Sequence, residues 1–111
     1  MIQVICPVCG AALEPQGTAW RCVQGHCFDV ARQGYVNLLT VTQKHSRHPG
    51  DTREMVAARR AFLDAGWYAP IAKTLADLVR RFCPEAASVL DAGCGEGYYL
   101  SQLGWVQERW G

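Results

Sequence analysis

The chain has 111 residues, of which 50% are apolar and 19% are charged, and its formal net charge is +1. This composition is close to the globular average, so it argues against a disordered chain and gives, as a total, no sign of a polyanion partner. No apolar run approaches the ~20 residues that a membrane span needs, and the start MIQVICPVCG lacks the basic and apolar segments of a signal peptide. We therefore expect a cytoplasmic protein with no membrane partner.

Two short groups of potential metal ligands lie in the first thirty residues. Cys6 and Cys9 form a C-x2-C pair in CPVCG, and Cys22 and His26 form a C-x3-H pair in CVQGHCF. The short gaps let both ligands of one turn face a single ion, and in a reducing compartment such cysteines bind metal more often than they form disulfides. We predict a tetrahedral zinc site with four protein ligands, which is a structural site because no coordination position stays open.

Alternatives to this ligand set concern the remaining cysteines. Cys27 follows His26 directly and could replace it as the fourth ligand, although we favour His26, with Cys27 packed inward as a small apolar group. Disulfide pairing of the cysteines is the other alternative. Cys83 and Cys94 are far from the cluster along the chain and are predicted to be buried thiols. The segment AALEPQGTAWR between the two ligand pairs predicts a hairpin.

A basic segment follows, KHSRHPGDTREMVAARRAFLDAG. Five Lys and Arg residues lie between positions 44 and 60, against two acidic residues. Asp51, with Glu54 three positions later, predicts an N-cap and capping box, and Gly66 predicts the C-terminal stop of a helix over 52–65. One face of this helix is apolar, with Met55, Val56, Phe62 and Leu63.

A second helix is predicted from Pro70 to about Phe82, because apolar residues recur there at helical spacing and Pro84 ends the pattern. The basic segment before it has two interpretations, a solvated surface and an RNA contact. The cations that we assign to RNA contact are Lys44, Arg47, Arg59 and Arg60.

The segment ASVLDAGCGEGYY predicts a strand, a glycine-rich turn and the start of a helix. Glycines at alternate positions let the backbone approach a ligand closely, and a following helix N-terminus presents free N–H groups. The form D-x-G-x-G-x-G resembles motif I of the class I S-adenosylmethionine-dependent methyltransferases more than a dinucleotide fingerprint. The predicted cofactor-binding residues are Asp91, Gly93, Gly95, Glu96, Gly97 and Tyr98.

The chain closely resembles the N-terminal part of the bacterial 23S rRNA guanine-N1 methyltransferases of the RlmA family. The motifs that show this resemblance are, in chain order, the zinc motif, GYVNLL, KHSRHPGD, ARRAFLDAG and LDAGCGEGYY. The resemblance covers nearly all of residues 4 to 100. It implies a zinc module that recognises RNA, joined to a Rossmann-like domain that methylates N1 of one guanine in a 23S rRNA hairpin. Cys6, Cys9, Cys22 and His26 match the family's zinc ligands, and Cys27 falls where the family does not require cysteine.

The chain departs from the family at its end. The acidic residue that holds the cofactor ribose lies about 20 residues beyond such a turn, which here falls just past Gly111. We therefore expect a truncated product or a fragment that binds S-adenosylmethionine weakly or not at all and does not methylate. No catalytic residue is assigned. A non-catalytic, zinc-stabilised RNA-binding module is the alternative function.

The predicted architecture is α+β. It consists of a β-rich zinc module over residues 1–40, a basic helical connector over 41–84, and the first βα unit of an incomplete methyltransferase domain over 85–111. Its one strand is expected to have an unsupported edge that is mobile or depends on a partner. A 23S rRNA hairpin is the expected partner, and a homodimer is one expected assembly.

Overall fold

The structure is a computed structural model that describes residues 2–111. Two compact units are present, one formed by residues 3–49 and the other by residues 50–111 together with Ile2. The secondary structure is α+β with a small β-rich metal-binding module, as predicted. Within residues 2–111, neither helix has the length and apolar character needed to cross a membrane.

The first unit contains a three-stranded antiparallel sheet. Its strands are β1 (Glu14–Gln16), β2 (Ala19–Arg21) and β3 (Cys27–Asp29), in the order β1-β2-β3. The β1–β2 hairpin pairs Gln16 with Ala19 and turns at Gly17, which has φ +63° and so needs a residue that tolerates the left-handed region. The predicted hairpin between the two ligand pairs is therefore confirmed.

The core of this unit is small. Its buried members are Cys6, Leu13 and Cys22, and half-buried Trp20 and Phe28 are among the side chains packed against them. Two of the three buried residues are thus predicted metal ligands rather than aliphatic side chains. Because so little apolar area is buried, metal binding, worth roughly 10 to 16 kcal/mol in small zinc peptides, would supply most of the stability.

In the second unit, α1 (Arg53–Asp64) lies close to the predicted bounds but has a different cap. The hydroxyl of Thr52 accepts a hydrogen bond from the Met55 N–H at 3.2 Å, whereas the carboxylate of Asp51 forms an ion pair with Arg59. The expected Asp51 cap is therefore wrong by one residue. Gly66 follows the helix with φ +87°, as expected for a C-terminal stop.

The apolar faces of the helices are less covered than the sequence predicted. In α1 only Leu63 is buried, and Met55, Val56 and Phe62 are exposed. In α2 (Ala69–Phe82), which starts with Pro70 as predicted, only Ala72 is buried. The buried apolar residues of this unit are Leu63, Ala72, Leu103 and Val106.

The end of the chain also differs from the expectation. β4 (Ser88–Leu90) pairs in parallel with β5 (Glu108–Trp110), so the prediction of one strand without a neighbour is wrong. The helix expected after the glycine-rich turn is a 3-10 turn of three residues, Leu100–Gln102. A Rossmann-like start is therefore not confirmed.

Residues between the 3-10 turn and β5 help to build the small core of this unit. Leu103 and Val106 are buried, and the Arg80 guanidinium lies 4.3 Å from the Trp105 ring centroid, a cation–π distance. The two cysteines predicted to be buried thiols are not: Cys83 is exposed and Cys94 is half-buried.

Candidate metal centre and cofactor turn

The structure brings together four potential metal ligands of the first unit. Cys6, Cys9, Cys22 and His26 each offer one ligand atom, and these atoms lie within 4.8 Å of one another. Cys9 Sγ and Cys22 Sγ are 3.7 Å apart, and His26 Nδ1 lies 3.6 Å from Cys6 Sγ and 3.3 Å from Cys22 Sγ.

These separations fit one tetrahedral zinc ion. Zn–S bonds of about 2.3 Å in a tetrahedron place two sulfur atoms roughly 3.8 Å apart, and a Zn–N bond of about 2.0 Å makes the sulfur–nitrogen edge slightly shorter. The set of three soft thiolates and one imidazole is typical of zinc. With four protein ligands no position is open for substrate, so such an ion would hold the unit together.

Each ligand turn is closed by the backbone N–H of a glycine. The N–H of Gly10 donates to the carbonyl of Cys6 at 2.8 Å, and the N–H of Gly25 donates to the carbonyl of Cys22 at 3.0 Å. Both glycines have positive φ, +73° and +86°, which a residue with Cβ rarely adopts. Sequence reasoning missed the role of Gly25, although its position just before His26 in the second turn is the signal.

Burial and hydrogen bonding shift the pKa values of Cys22 and Cys9 in opposite directions. Burial acts to raise the pKa of Cys22, but hydrogen bonds from the backbone at His26 and from Cys9 outweigh it and lower that pKa from 9.0 to about 6. The pKa of Cys9 is raised: the backbone at Ala11 acts to lower it, but burial and the neighbouring sulfurs of Cys22 and Cys6 prevail. These opposite shifts favour the thiolate form at Cys22 over Cys9, and a cation at the centre would favour loss of the remaining thiol protons.

Cys27 does not join the cluster. It lies in β3 opposite Arg21 and is exposed, so the expectation that it packs inward is wrong. The side chain brought next to the three cysteines is that of His26. The geometry thus favours His26 over Cys27, in line with the preferred ligand set.

The glycine-rich turn follows β4 in the second unit. Gly93, Gly95 and Gly97 have φ of +77°, +60° and +77°, and a Cβ added at any of them would meet no atom within 4 Å. Glycine is therefore required by the backbone conformation, and the space outside the turn is open to a ligand. An open cavity of about 270 Å³ lies beside Gly97, just below the usual range of about 300–1,000 Å³ for small-molecule pockets.

The other predicted cofactor residues are placed around this turn. Asp91 directly follows β4, and its N–H donates to the Trp110 carbonyl at 2.9 Å. The Glu96 side chain is 12% exposed, and its Oε2 lies 3.9 Å from Arg60 Nε, an ion pair that sequence reasoning did not anticipate. Tyr98 packs edge-to-face with Tyr99. The residues present fit a ligand-approach turn, but within residues 2–111 they do not enclose a cofactor.

The four cations predicted to contact RNA fall into two groups. Lys44 and Arg47 are exposed in the loop that ends the first unit, and within residues 2–111 neither side chain forms an ion pair. Arg59 and Arg60 lie on α1 in the second unit, where they pair with Asp51 and Glu96.

Known proteins match the chain over most of its length. Residues 4–47 match the zinc-ribbon family described as RlmA, N-terminal. Over 100 residues the chain is 46% identical to the 23S rRNA (guanine(748)-N(1))-methyltransferase of Streptomyces fradiae, covering 88% of the chain and 35% of that protein. It is 43% identical over 116 residues to a putative 23S rRNA (guanine-N(1)-)-methyltransferase of Micromonospora griseorubida, covering 88% of the chain and 38% of that protein.

A third relative, the putative methyltransferase YxjB of Bacillus subtilis (strain 168), is 35% identical over 103 residues, covering 88% of the chain and 35% of that protein. The chain thus spans about a third of the length of these curated relatives. The resemblance inferred from the motifs is confirmed for the zinc ribbon and for most of this chain.

Proposed function

We propose that this relative of the 23S rRNA guanine-N1 methyltransferases binds RNA through a zinc-stabilised ribbon and carries the cofactor turn of a methyltransferase. The observation that carries the proposal is the Cys6, Cys9, Cys22 and His26 cluster, whose ligand atoms lie within 4.8 Å of one another inside a segment that matches the RlmA zinc ribbon. The substrate would be a guanine N1 in a 23S rRNA hairpin, and the protein would act in the cytoplasm, where ribosomal RNA is found.

Charge and exposure support the loop around Lys44 and Arg47 as the main RNA contact. Both cations are exposed and have no carboxylate partner among the described residues, so binding a phosphate costs no existing ion pair. Arg59 and Arg60 remain in the proposed contact, but each would exchange a carboxylate for a phosphate and so gain less. Phosphate neutralisation by such cations supplies much of the affinity of any RNA-binding protein.

The turn from Asp91 to Tyr98 is proposed to approach S-adenosylmethionine, which supplies the methyl group when bound. Positive φ at its three glycines and the open space outside them support close backbone approach. Two short strands and a cavity of about 270 Å³ do not surround a ligand of that size. We therefore propose that the 111-residue polypeptide, tested by itself, neither binds the cofactor appreciably nor methylates RNA.

A non-catalytic RNA-binding module is the second candidate function. It is favoured by the same incomplete enclosure of the glycine-rich turn, because zinc-stabilised RNA contact does not require that turn. In both candidate functions the ribbon makes the RNA contact. A homodimer remains a proposed assembly.

The test is RNA binding by the zinc-loaded chain. The probe is a labelled 23S rRNA hairpin that includes guanine 748, the position named for the Streptomyces relative. Cys22→Ser removes a cluster ligand and should weaken binding at least tenfold, because the ribbon loses its metal. Cys27→Ser removes an exposed thiol outside the cluster and should bind within twofold of wild type. Equal binding by wild type and Cys22→Ser would contradict the proposal.

A further inference from the structure

The side chain of Glu96 places a carboxyl group in the interior of the glycine-rich turn. It is 12% exposed, and within residues 2–111 its Oε2 atom is buried without a hydrogen-bond partner. The residues on either side, Gly95 and Gly97, have no side chains that could hydrogen-bond to it. Removing an ionised carboxylate from water is costly unless an opposite charge compensates it. The position of Glu96 therefore depends on the cation that faces it.

Arg60 on α1 supplies that cation. Its Nε lies 3.9 Å from Glu96 Oε2, and no other basic side chain in the described part of the chain pairs with this carboxylate. The distance is too long for a hydrogen bond, so the attraction is electrostatic. The Arg60 side chain is 65% exposed, and a pair between two such groups would be weak. Here one partner is buried, so loss of Arg60 would leave a buried carboxylate without its cation.

The backbone of the turn is bonded mainly at its two ends. Before the glycines, the Asp91 N–H donates to the Trp110 carbonyl, and after them the Ser101 N–H donates to the carbonyl of Gly97 at 2.9 Å. Between these ends the three glycines have positive φ, and glycine is the residue with the widest backbone freedom. The Glu96 ion pair joins this stretch to α1. It therefore acts on the part of the turn that its own residues restrict least.

The neighbouring cation, Arg59, makes a different contact. Its guanidinium pairs with Asp51, which lies just before the start of α1, so this ion pair stays at the helix itself. Arg59 and Arg60 carry the same charge at adjacent positions, and both belong to the proposed RNA contact. A comparison of the two therefore separates a role in the turn from a role in phosphate binding.

We propose that Arg60 is a positioning residue for the cofactor turn, which it holds through the carboxylate of Glu96. Fixing Glu96 restricts Gly95 and Gly97 on either side, so the turn keeps the conformation whose outer side is open to a ligand. Such preorganisation reduces the ordering cost of binding. The inference rests on the proposed function, because it takes this turn as the one that approaches S-adenosylmethionine.

Amide hydrogen exchange in the zinc-loaded 111-residue chain tests the proposal without the cofactor. The Gly97 N–H, which donates to the Cys94 carbonyl at 3.0 Å, reports on the turn, and the amides of α2 report on the rest of the unit. Arg60→Gln should speed exchange at Gly97 about fivefold or more and leave α2 within about twofold of wild type. Arg59→Gln is the matched control and should leave both within about twofold.

Two further variants show whether the charge of Arg60 acts through Glu96. Arg60→Lys keeps the positive charge and should hold Gly97 exchange within about threefold of wild type. In Glu96→Gln the carboxylate is absent, so adding Arg60→Gln should change exchange by less than about twofold. Helix content by circular dichroism checks that each variant is folded.

Four results would overturn the inference. They are a Gly97 amide that Arg60→Gln does not affect, equal acceleration of Gly97 and α2, exchange as fast in Arg60→Lys as in Arg60→Gln, and an effect of Arg60→Gln that persists in Glu96→Gln. The proposed function fails differently. If the zinc-loaded chain does not bind the RNA hairpin, the ribbon loses its proposed role, whereas exchange at Gly97 still decides what Arg60 does.

Discussion

At the residue scale, the placement of His26 and Cys27 determines which of the two can be the fourth ligand of the metal site. The two residues are adjacent, and either could complete a four-ligand set by spacing alone. In the structure, His26 Nδ1 lies 3.3 Å from Cys22 Sγ, whereas Cys27 lies in β3 and is exposed. His26 precedes that strand and Cys27 begins it, and of the two only His26 brings a ligand atom to the cluster.

We expect His26→Ala to reduce zinc content well below one ion per chain, because three thiolates would leave one coordination position to water. Cys27→Ala should retain one zinc per chain, since its thiol contacts no other ligand. Elemental analysis after gel filtration gives both values. Zinc loss in Cys27→Ala with retention in His26→Ala would reverse the ligand assignment.

Residue-level prediction from the sequence succeeded where spacing restricts geometry and failed where neighbours are chemically alike. C-x2-C and C-x3-H permit one compact arrangement, so the cluster could be predicted. Asp51 and Thr52 are both good helix caps, and only the structure shows that Thr52 bonds the Met55 N–H while Asp51 pairs with Arg59. Burial of Cys83 and Cys94 could not be deduced because it depends on what packs around them.

At the scale of elements, the loop that ends the first unit and helix α1 are both basic but differ in how their cations are paired. Lys44 and Arg47 have no carboxylate partner within residues 2–111, whereas Arg59 and Arg60 each have one. Charge counting along the sequence treats all four alike. The loop should therefore contribute more to RNA affinity than the helix.

The double variant Lys44→Gln with Arg47→Gln removes both loop cations and should weaken binding of the RNA hairpin. It should also reduce the magnitude of the slope of log affinity against log salt concentration by about 1 to 2, because about one counterion is released per phosphate contact. Lys73→Gln removes one positive charge from α2, where Lys73 already pairs with Asp77, and should leave the slope unchanged. Fluorescence anisotropy at several salt concentrations measures this. An unchanged slope in the loop variant would exclude these phosphate contacts.

Helices were easier to predict than strands. Caps, prolines and a 3.6-residue apolar period place α1 and α2 within one residue or so of the predicted bounds. β5 has three residues, Glu108–Trp110, and no alternation long enough to recognise. The helix predicted after the glycine-rich turn rested on residues that are merely compatible with a helix, and it was wrong: the chain forms a 3-10 turn at Leu100–Gln102 and turns back towards β5 after Leu103.

The packing of the segment before β5 leads to a prediction of its own. Leu103 is 6% exposed and is one of the few buried side chains of the second unit. Leu103→Ala should lower the free energy of unfolding of that unit by about 2 to 5 kcal/mol through lost burial and a cavity. Leu90→Ala, at a position 62% exposed, should cost far less. Urea unfolding followed by helix circular dichroism compares them, and equal costs would show that Leu103 is not a core residue.

At the scale of the whole molecule, the chain has two units. One is a ribbon with four potential metal ligands, and the other is an α/β unit with unpaired strand edges and exposed apolar side chains on α2. The ribbon matches the RlmA family over residues 4–47, and the chain spans about a third of its curated relatives. We therefore expect the ribbon to bind zinc, and under the proposed function to bind RNA, by itself. Under the proposed function, cofactor binding is expected to require more strands than β4 and β5 provide.

The most direct test of this account is a titration of the purified 111-residue chain with S-adenosylmethionine, with zinc determined on the same sample. We predict one zinc per chain and no heat of binding at cofactor concentrations up to about 1 mM, a limit that corresponds to about −4 kcal/mol. Micromolar cofactor binding would contradict the claim that two strands cannot enclose the ligand. A folded chain without zinc would contradict the assignment of Cys6, Cys9, Cys22 and His26 as a structural metal site.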